Sequence, residues 1–430
     1  MTKDTPTICI VGLGYVGLPL AAAFDDEGCT VIGFDVDQSK VDALSSGRDP
    51  TGEIGDDVVA SGTIEFTADP TPIERAEYVI VTVPTPVDGL KNPNLDFVEA
   101  AGRTVGEHLA AGATVVLEST VYPGVTRDVL VPAIEESSSM TAGEGFSVGY
   151  SPERMSPGDA GRGLRDVKKI VSADSEETLS DLAELYERIV DAGVYRAENL
   201  ETAEAAKVLE NVQRDMNIAL VNELAIICEH MDLDTRAVID AAASKWNFHR
   251  YEPGLVGGHC IPVDPLYLVH GSERAGFSPK LILQAREINE YMPKHVAEVT
   301  LKALNQSGKV LKGSRLLVLG LSYKPNVGDL RTSEIGGVIA ALEEYGVEIT
   351  GHDPVADPEA VRSAFGIEPL AEPEYEDVDG IVLATPHDEL QEIDFASVAD
   401  ELANDPVLVD VKGVLDREEM AEAGYAYRRL

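Results

Sequence analysis

Residues 8–21, "ICIVGLGYVGLPLA", join an apolar run to a glycine-spaced turn and then to a helix-forming segment. Gly12, Gly14 and Gly17 stand in the spacing G-x-G-x-x-G, and a second apolar run, "CTVIGFDVD", brings Asp35 to its end about 20 residues further on. Each part answers a physical need. Gly12 permits a tight turn, Gly14 lets backbone N–H groups approach a pyrophosphate, and Gly17 lets helix and strand pack closely. Tyr15 and Val16 complete the turn where the helix N-terminus would meet the phosphates. Asp35 can accept hydrogen bonds from ribose hydroxyls, and its charge favours NAD over NADP, whose 2′-phosphate it would repel. The expected unit is a strand, turn, helix and strand that bind NAD.

Further strands are predicted within 76–86 ("AEYVIVTVPTP") and 113–120 ("ATVVLEST"). Pro84, Thr85 and Thr120 then fall at strand ends, on the edge where α/β sheets take ligands, although turn chemistry alone explains Pro84 and Thr85 equally well. A second doubly wound unit begins near Lys312. Its "VDGIVLATPHD" echoes "AEYVIVTVPTP", yet it lacks the three-glycine pattern, so a different nucleotide is expected there. Between the two lies an alanine- and leucine-rich stretch, 198–234, with no Gly or Pro. It predicts a helix of about 28 residues, about 40 Å long, able to connect two domains and to offer a subunit interface. Lys207 and Asn211 share one of its faces and, taken alone, read as a solvated pair. The fold class is α/β: two doubly wound Rossmann-like domains joined by a long central helix and a helical middle domain, with boundaries at 1–198, 199–305 and 306–430.

Composition narrows the partners. A chain of 430 residues, 44% of them apolar, can bury two or three cores. No apolar run is long enough to span a membrane, and "MTKDTPTICIVG" has neither the basic start nor the apolar stretch of a secretory leader, so the expectation is cytoplasmic. Against 34 basic residues stand 76 acidic ones, a net charge of −42 that repels nucleic acid and anionic membranes. The acidic residues run along the whole chain, which suggests adaptation to high salt rather than a cationic partner. Cys9, Cys29, Cys228 and Cys260 show no metal-ligand spacing, so no metal site is expected and the thiols are read as reduced. Cys260 stands apart, in the flexible "GLVGGHCIPVDPLYL". A structural cysteine normally lies in an apolar helix or strand; this one is placed where backbone can approach a ligand.

Taken in order, "GLGYVGLPLA", "VTVPTP", "ESTVYPG", "SPER", "EAAKVLENVQRDMNIALVNE", "VGGHCIPVDP" and "GLSYKPNVGDLRTS" resemble the UDP-glucose/GDP-mannose dehydrogenases over nearly the whole chain. That resemblance implies oxidation of the C6 hydroxyl of a nucleotide sugar to a carboxylate, with two NAD and one water consumed. It makes Cys260 the nucleophile that holds the intermediate aldehyde as a thiohemiacetal and then as a thioester. Lys207 and Asn211 match the pair that binds the substrate oxygen, Asp264 the aspartate that assists proton transfer, Thr120 the threonine that positions water, and Glu153 a glutamate of thioester hydrolysis. The same comparison puts Arg331 with the cofactor. With the substrate it puts Arg154, His249, Arg250, Tyr251, Gly257, His259 and Lys324.

Departures bear on the sugar. The glucose and mannose enzymes usually carry Gly-Gly-Ser-Cys and then Pro-Lys-Asp, where this chain has "GGHCIPVD". Histidine before the cysteine and valine for lysine resemble the branch acting on UDP-N-acetylhexosamines, UDP-GlcNAc or UDP-ManNAc. Pro157 replaces a second glutamate, so that acid's role does not carry over. His259 either touches substrate or shapes the loop, and Trp246 is expected in the core. A homodimer or larger homo-oligomer is expected. The rival readings are a UDP-glucose dehydrogenase, a two-electron β-hydroxyacid dehydrogenase and a non-catalytic nucleotide-sugar sensor. The first shares the chemistry, the second lacks the cysteine loop, and the third would have lost Cys260, Lys207, Asn211 or Asp264.

Overall fold

Val, Ile and Leu fill the central strands without alternating with polar residues, as a parallel sheet covered on both faces requires. In the computed structural model, which describes residues 5–155 and 163–430, the first sheet contains β1 (Thr7–Val11), β2 (Thr30–Phe34), β3 (Glu65–Thr67), β4 (Tyr78–Val81), β5 (Thr114–Leu117), β6 (Ser147–Tyr150), β7 (Lys169–Ala173) and β8 (Val194–Arg196). Their order is β3-β2-β1-β4-β5-β6-β7-β8. Pairing is parallel except between β6 and β7, and Val11 lies level with Phe34 on one side and Val81 on the other. Ile8, Ile10, Phe24, Ile80 and Val116 are fully buried in its core.

The second sheet contains β9 (Arg315–Leu319), β10 (Glu348–His352), β11 (Glu368–Pro369), β12 (Gly380–Leu383), β13 (Val407–Asp410) and β14 (Ala426–Arg429), ordered β11-β10-β9-β12-β13-β14. All its pairs are parallel. This repeats the order of the first six strands and makes the predicted echo a matter of topology. In both sheets the glycine that ends the first strand faces a threonine from the fourth. Gly12 (φ +98°) abuts Thr82, whose hydroxyl donates to the Gly12 carbonyl at 2.7 Å. Gly320 (φ +78°) lies so close to the Thr385 carbonyl that a Cβ would strike it.

Contacts divide the chain into two units, Met1–Glu210 with Leu266–Ser278, and Asn211–Pro265 with Pro279–Leu430. The segment expected as a separate middle domain, 199–305, contributes to both, and the division passes through the long helix Leu200–Met231. That helix has 32 residues and so runs about 48 Å. Lys207 and Asn211 are 7% and 8% exposed, which removes the solvated-face reading. Trp246, expected in the core, is 91% exposed: it follows the short helix Thr235–Ala243 at a turn, where no strand or helix covers it. Among the described residues no helix is long and apolar enough to cross a membrane.

The Gly320 turn yields a test. Gly320→Ala forces an unfavourable φ and a clash with backbone that cannot move aside, so a loss of about 2–4 kcal/mol is expected. Chemical denaturation should show it as a lower midpoint with an unchanged slope.

Candidate active site

In the first unit, the helix Gly17–Asp26 begins immediately after the glycine turn, and no side chain caps its N-terminus. A Cβ at Gly14 would meet nothing within 4 Å, whereas one at Gly17 would strike the Gly12 carbonyl. The turn is thus open on its outer side and closed on its inner side, a cradle that suits a pyrophosphate. Asp35 is 5% exposed. Its carboxylate accepts from Leu13 N (2.8 Å) and Asp37 N (2.9 Å) and pairs with Lys40 Nζ at 2.6 Å. Asp35 therefore shapes the turn it was expected only to border, and Lys40 is a cationic neighbour that no spacing rule pointed to. These residues fit NAD, which when bound supplies the hydride acceptor.

Thr85 donates its hydroxyl to the Thr120 carbonyl at 2.8 Å, tying the ends of β4 and β5 together, while Tyr267 donates to the Thr85 carbonyl at 2.6 Å. Pro84 is exposed and Thr120 half-buried. Glu153 follows β6: its Oε1 accepts from the amides of Arg154 (2.6 Å) and Met155 (2.7 Å), and its Oε2 accepts from Lys169 Nζ at 2.9 Å. Arg154 pairs with Glu210 (2.6 Å) and donates to the Lys168 carbonyl. Pro157 lies outside the described residues.

The second unit holds the cysteine loop. Cys9, Cys29 and Cys228 are buried, and burial pushes the Cys9 thiol up to about 12; Cys260 alone is exposed. Its carbonyl accepts from Asp264 N at 2.8 Å, which opens the helix Asp264–Arg274. Asp264 is 3% exposed, and its carboxylate accepts from Asn211 Nδ2 at 2.6 Å, so two of the predicted residues meet directly.

Two anchors hold the loop. At its start, Asn222 clasps the Gly254 backbone: Gly254 N donates to Oδ1 (2.7 Å) and Nδ2 donates to the Gly254 carbonyl (3.0 Å). Behind it, Asn222 Nδ2 also donates to Asn289, and Asn289 and Arg286 both donate to Asp215. Further along, Gly257 and Gly258 (φ +94°) lie against Thr332 and the Tyr323 ring so closely that neither tolerates a Cβ. His259 meets the Tyr323 ring edge-on and pairs with Asp329 at 3.1 Å.

Asp329 also pairs with Arg331 at 2.9 Å. Burial pushes its carboxyl up, but the bonds from Arg331 and His259 outweigh this and hold it at about 2. His259 and Arg331 thus share one carboxylate. Lys324, next to Tyr323, lies half-buried in the same stretch. Arg250 is drawn into ion pairs with Asp240 and Glu252 (both 2.6 Å), Tyr251 accepts from Gln213 at 3.0 Å, and His249 is exposed. Sequence reasoning passed over Asn222 and Lys412. The Lys412 ammonium reaches the space beside Gly254 that a Cβ would take.

The glycine turn forms a cradle for NAD and a pinned loop exposes a thiol; the relatives of the chain make it an NAD-dependent nucleotide-sugar dehydrogenase. The chain belongs to the UDP-glucose/GDP-mannose dehydrogenase family. The NAD binding domain of that family matches residues 6–190, its central domain 201–291 and its UDP binding domain 317–417. The UDP-N-acetyl-D-glucosamine 6-dehydrogenase of Salmonella typhi is 42% identical over 97% of this chain and 98% of its own. The UDP-N-acetyl-D-mannosamine dehydrogenase of Methanocaldococcus jannaschii is 31% identical over 97% and 95%. The solved UDP-D-ManNAc dehydrogenase of Pyrococcus horikoshii superposes with a TM-score of 0.88 at 28% identity, covering 98% of each chain.

Asn222→Ala removes both ties to Gly254 and leaves Asn289 short of a partner. A loss of about 2–4 kcal/mol is expected, with faster amide hydrogen exchange concentrated in residues 254–260. Uniform protection across that loop in the variant would contradict the anchoring.

Proposed function

We propose that this protein oxidises the C6 hydroxyl of a UDP-N-acetylhexosamine to the carboxylate, with UDP-GlcNAc ahead of UDP-ManNAc. The observation that carries the reading is the loop itself. One cysteine of four is exposed, on backbone fixed at Gly254 and Gly258, and Asn211 and Asp264 are joined behind it. Higher identity to the relative named for the glucosamine sugar than to the one named for the mannosamine sugar supports that order.

The balance is one alcohol, two NAD and one water in, and one carboxylate, two NADH and three protons out. Lys207 and Asn211 hold the reacting oxygen, and Asp264, fixed by Asn211, handles its proton. The Cys260 thiolate adds to the aldehyde carbon and retains it as a thiohemiacetal, so the intermediate stays bound until the second oxidation makes a thioester. Thr120 and Glu153 serve the hydrolysis. Lys324, His259, Tyr251, Arg250 and His249 belong to the substrate side, and the uronic acid product would supply surface polysaccharide or glycoprotein glycan synthesis.

Incubation with NAD and each of UDP-GlcNAc, UDP-ManNAc and UDP-glucose should give two NADH per sugar acid, fastest with UDP-GlcNAc. One NADH per sugar with a keto product would point to two-electron chemistry instead. Cys260→Ala should lower acid formation by at least about 1,000-fold; an active variant would remove the nucleophile.

A homodimer is the second part of the proposal. Leu220, Ile227 and Met231 are 65%, 46% and 62% exposed, and at about 100° per residue they form one stripe along the long helix. Trp246 and Phe248 of the same unit are exposed too. Contiguous exposed apolar side chains mark an interaction surface. Light scattering should give twice the chain mass for the unaltered protein and the single mass for Leu220→Glu/Ile227→Glu.

A further inference from the structure

Below the Glu153 turn lies a buried cluster of charge that the proposed chemistry does not use. Lys169, on β7, is 2% exposed. Its ammonium lies 2.9 Å from Glu153 and 2.8 Å from Glu118, which follows β5 and is fully enclosed. Tyr186, from the helix Glu176–Tyr186, donates its hydroxyl to Glu118, and Lys169 stands 5.5 Å from the centre of its ring. Arg154, the other cation beside Glu153, is committed to Glu210. One ammonium thus serves two carboxylates, Glu118 enclosed and Glu153 partly exposed. A charge so enclosed survives only if it is paired, and Glu118 and Tyr186 fix the place of the ammonium.

We propose that Lys169, seated by Glu118 and Tyr186, is a positioning residue that holds Glu153 as an oriented carboxylate for the hydrolytic half of the reaction. The proposal rests on the reading that Glu153 assists that half. There, the water oxygen bonds to the thioester carbonyl carbon while the C–S bond breaks, its electron pair going to sulfur. One proton of the water passes by way of the Glu153 carboxylate to the sulfur; the other is released as the product acid ionises. The directions of ionisation agree. Burial pushes Glu153 up, but the Lys169 charge and hydrogen bond outweigh it and hold the carboxyl below its ordinary value. Burial keeps Glu118 raised. Removal of the ammonium leaves burial unopposed, so the Glu153 carboxyl rises and activity that needs its ionised form is lost at the acid end first.

The test compares Lys169→Met, Lys169→Arg and Glu153→Gln in the full-length protein with UDP-GlcNAc and NAD. Lys169→Met should turn over about 100-fold more slowly, with KM falling in step with kcat as acylated enzyme accumulates, so that kcat/KM stays within about two-fold. The first-turnover burst of NADH should persist, a thioester adduct on Cys260 should accumulate by intact mass, and the acid limb of the rate profile should move to higher pH. Lys169→Arg should recover turnover to within about ten-fold. If Lys169→Met does not fold, Glu118→Gln/Lys169→Met preserves the net charge of the cluster and should give the same adduct. Folded variants without adduct, with an unmoved acid limb, overturn the proposal, as does a Lys169→Arg enzyme as slow as Lys169→Met. Glu153→Gln separates the two ideas. If it also forms no adduct, the reading of Glu153 has failed; if it accumulates adduct while the Lys169 variants do not, only the positioning role has.

Discussion

A helix that turns a polar stripe inward must find partners for it, and the helix Leu200–Met231 is built around that requirement. Lys207, Asn211, Asp215 and Asn222 are all buried and fall within about 80° of one another around its axis. Asn211 takes Asp264, Asp215 takes Arg286 and Asn289, and Asn222 takes the Gly254 backbone. The stripe thereby fixes both ends of the segment that carries Cys260. Leu220, Ile227 and Met231 occupy the opposite side and are left exposed. Val208, Val212, Val221 and Ala225 are buried on either side of the stripe, so the inward face packs as an amphipathic helix does and carries its polar groups within that apolar border.

The two sheets share a strand order and diverge at one turn. After Gly12 a helix starts at Gly17; after Gly320 the next helix starts only at Ile335. The intervening stretch includes Tyr323, Asp329 and Thr332, which shape the cysteine loop. The aspartates that end the second strand of each sheet diverge too. Asp353 accepts from Leu321 N, Ser322 N and Oγ, and His387 on one oxygen, and from Val355 N and Ala356 N on the other. A carboxylate so saturated has no lone pair left for a ribose, whereas Asp35 accepts fewer donors. The same topology therefore makes a dinucleotide cradle once only, and the UDP binding domain matched over 317–417 occupies the copy that has lost it.

What could be read from the sequence was what depends on neighbours in the chain. The G-x-G-x-x-G turn is local, so Gly12, Gly14 and Gly17 were legible together with their helix. Cys260 was legible because glycines on its N-terminal side and Pro262 and Pro265 beyond it set it apart from a core thiol. Residues that act across long separations left no such mark. Lys169 reads as a β-strand end, Asn222 as helix filler, and Thr82 as an ordinary strand residue; each matters through a partner 16 to 70 positions away. Arg154, placed by its motif, pairs with Glu210, a partner 56 positions away that the motif does not show. Trp246 failed in the opposite sense: average burial says nothing of a turn that faces outward.

Glu153 and Glu204 show what the buried cation does. Each carboxylate accepts two backbone amides: Glu153 those of Arg154 and Met155, Glu204 those of Gly124 and Thr126. Each has a third donor, Lys169 for Glu153 and the Thr126 hydroxyl for Glu204. Burial acts in the same direction on both, yet Glu204 ends above its ordinary value and Glu153 below it. Hydrogen bonds of comparable number do not overcome burial at Glu204; an ammonium does so at Glu153. A carboxylate that only braces the "STVYPG" turn tolerates a proton, because a neutral acid still accepts hydrogen bonds. One that must receive a proton from water cannot. In a chain with 76 acidic and 34 basic residues, an enclosed lysine at this position favours the ionised form of a carboxylate whose proposed work depends on it.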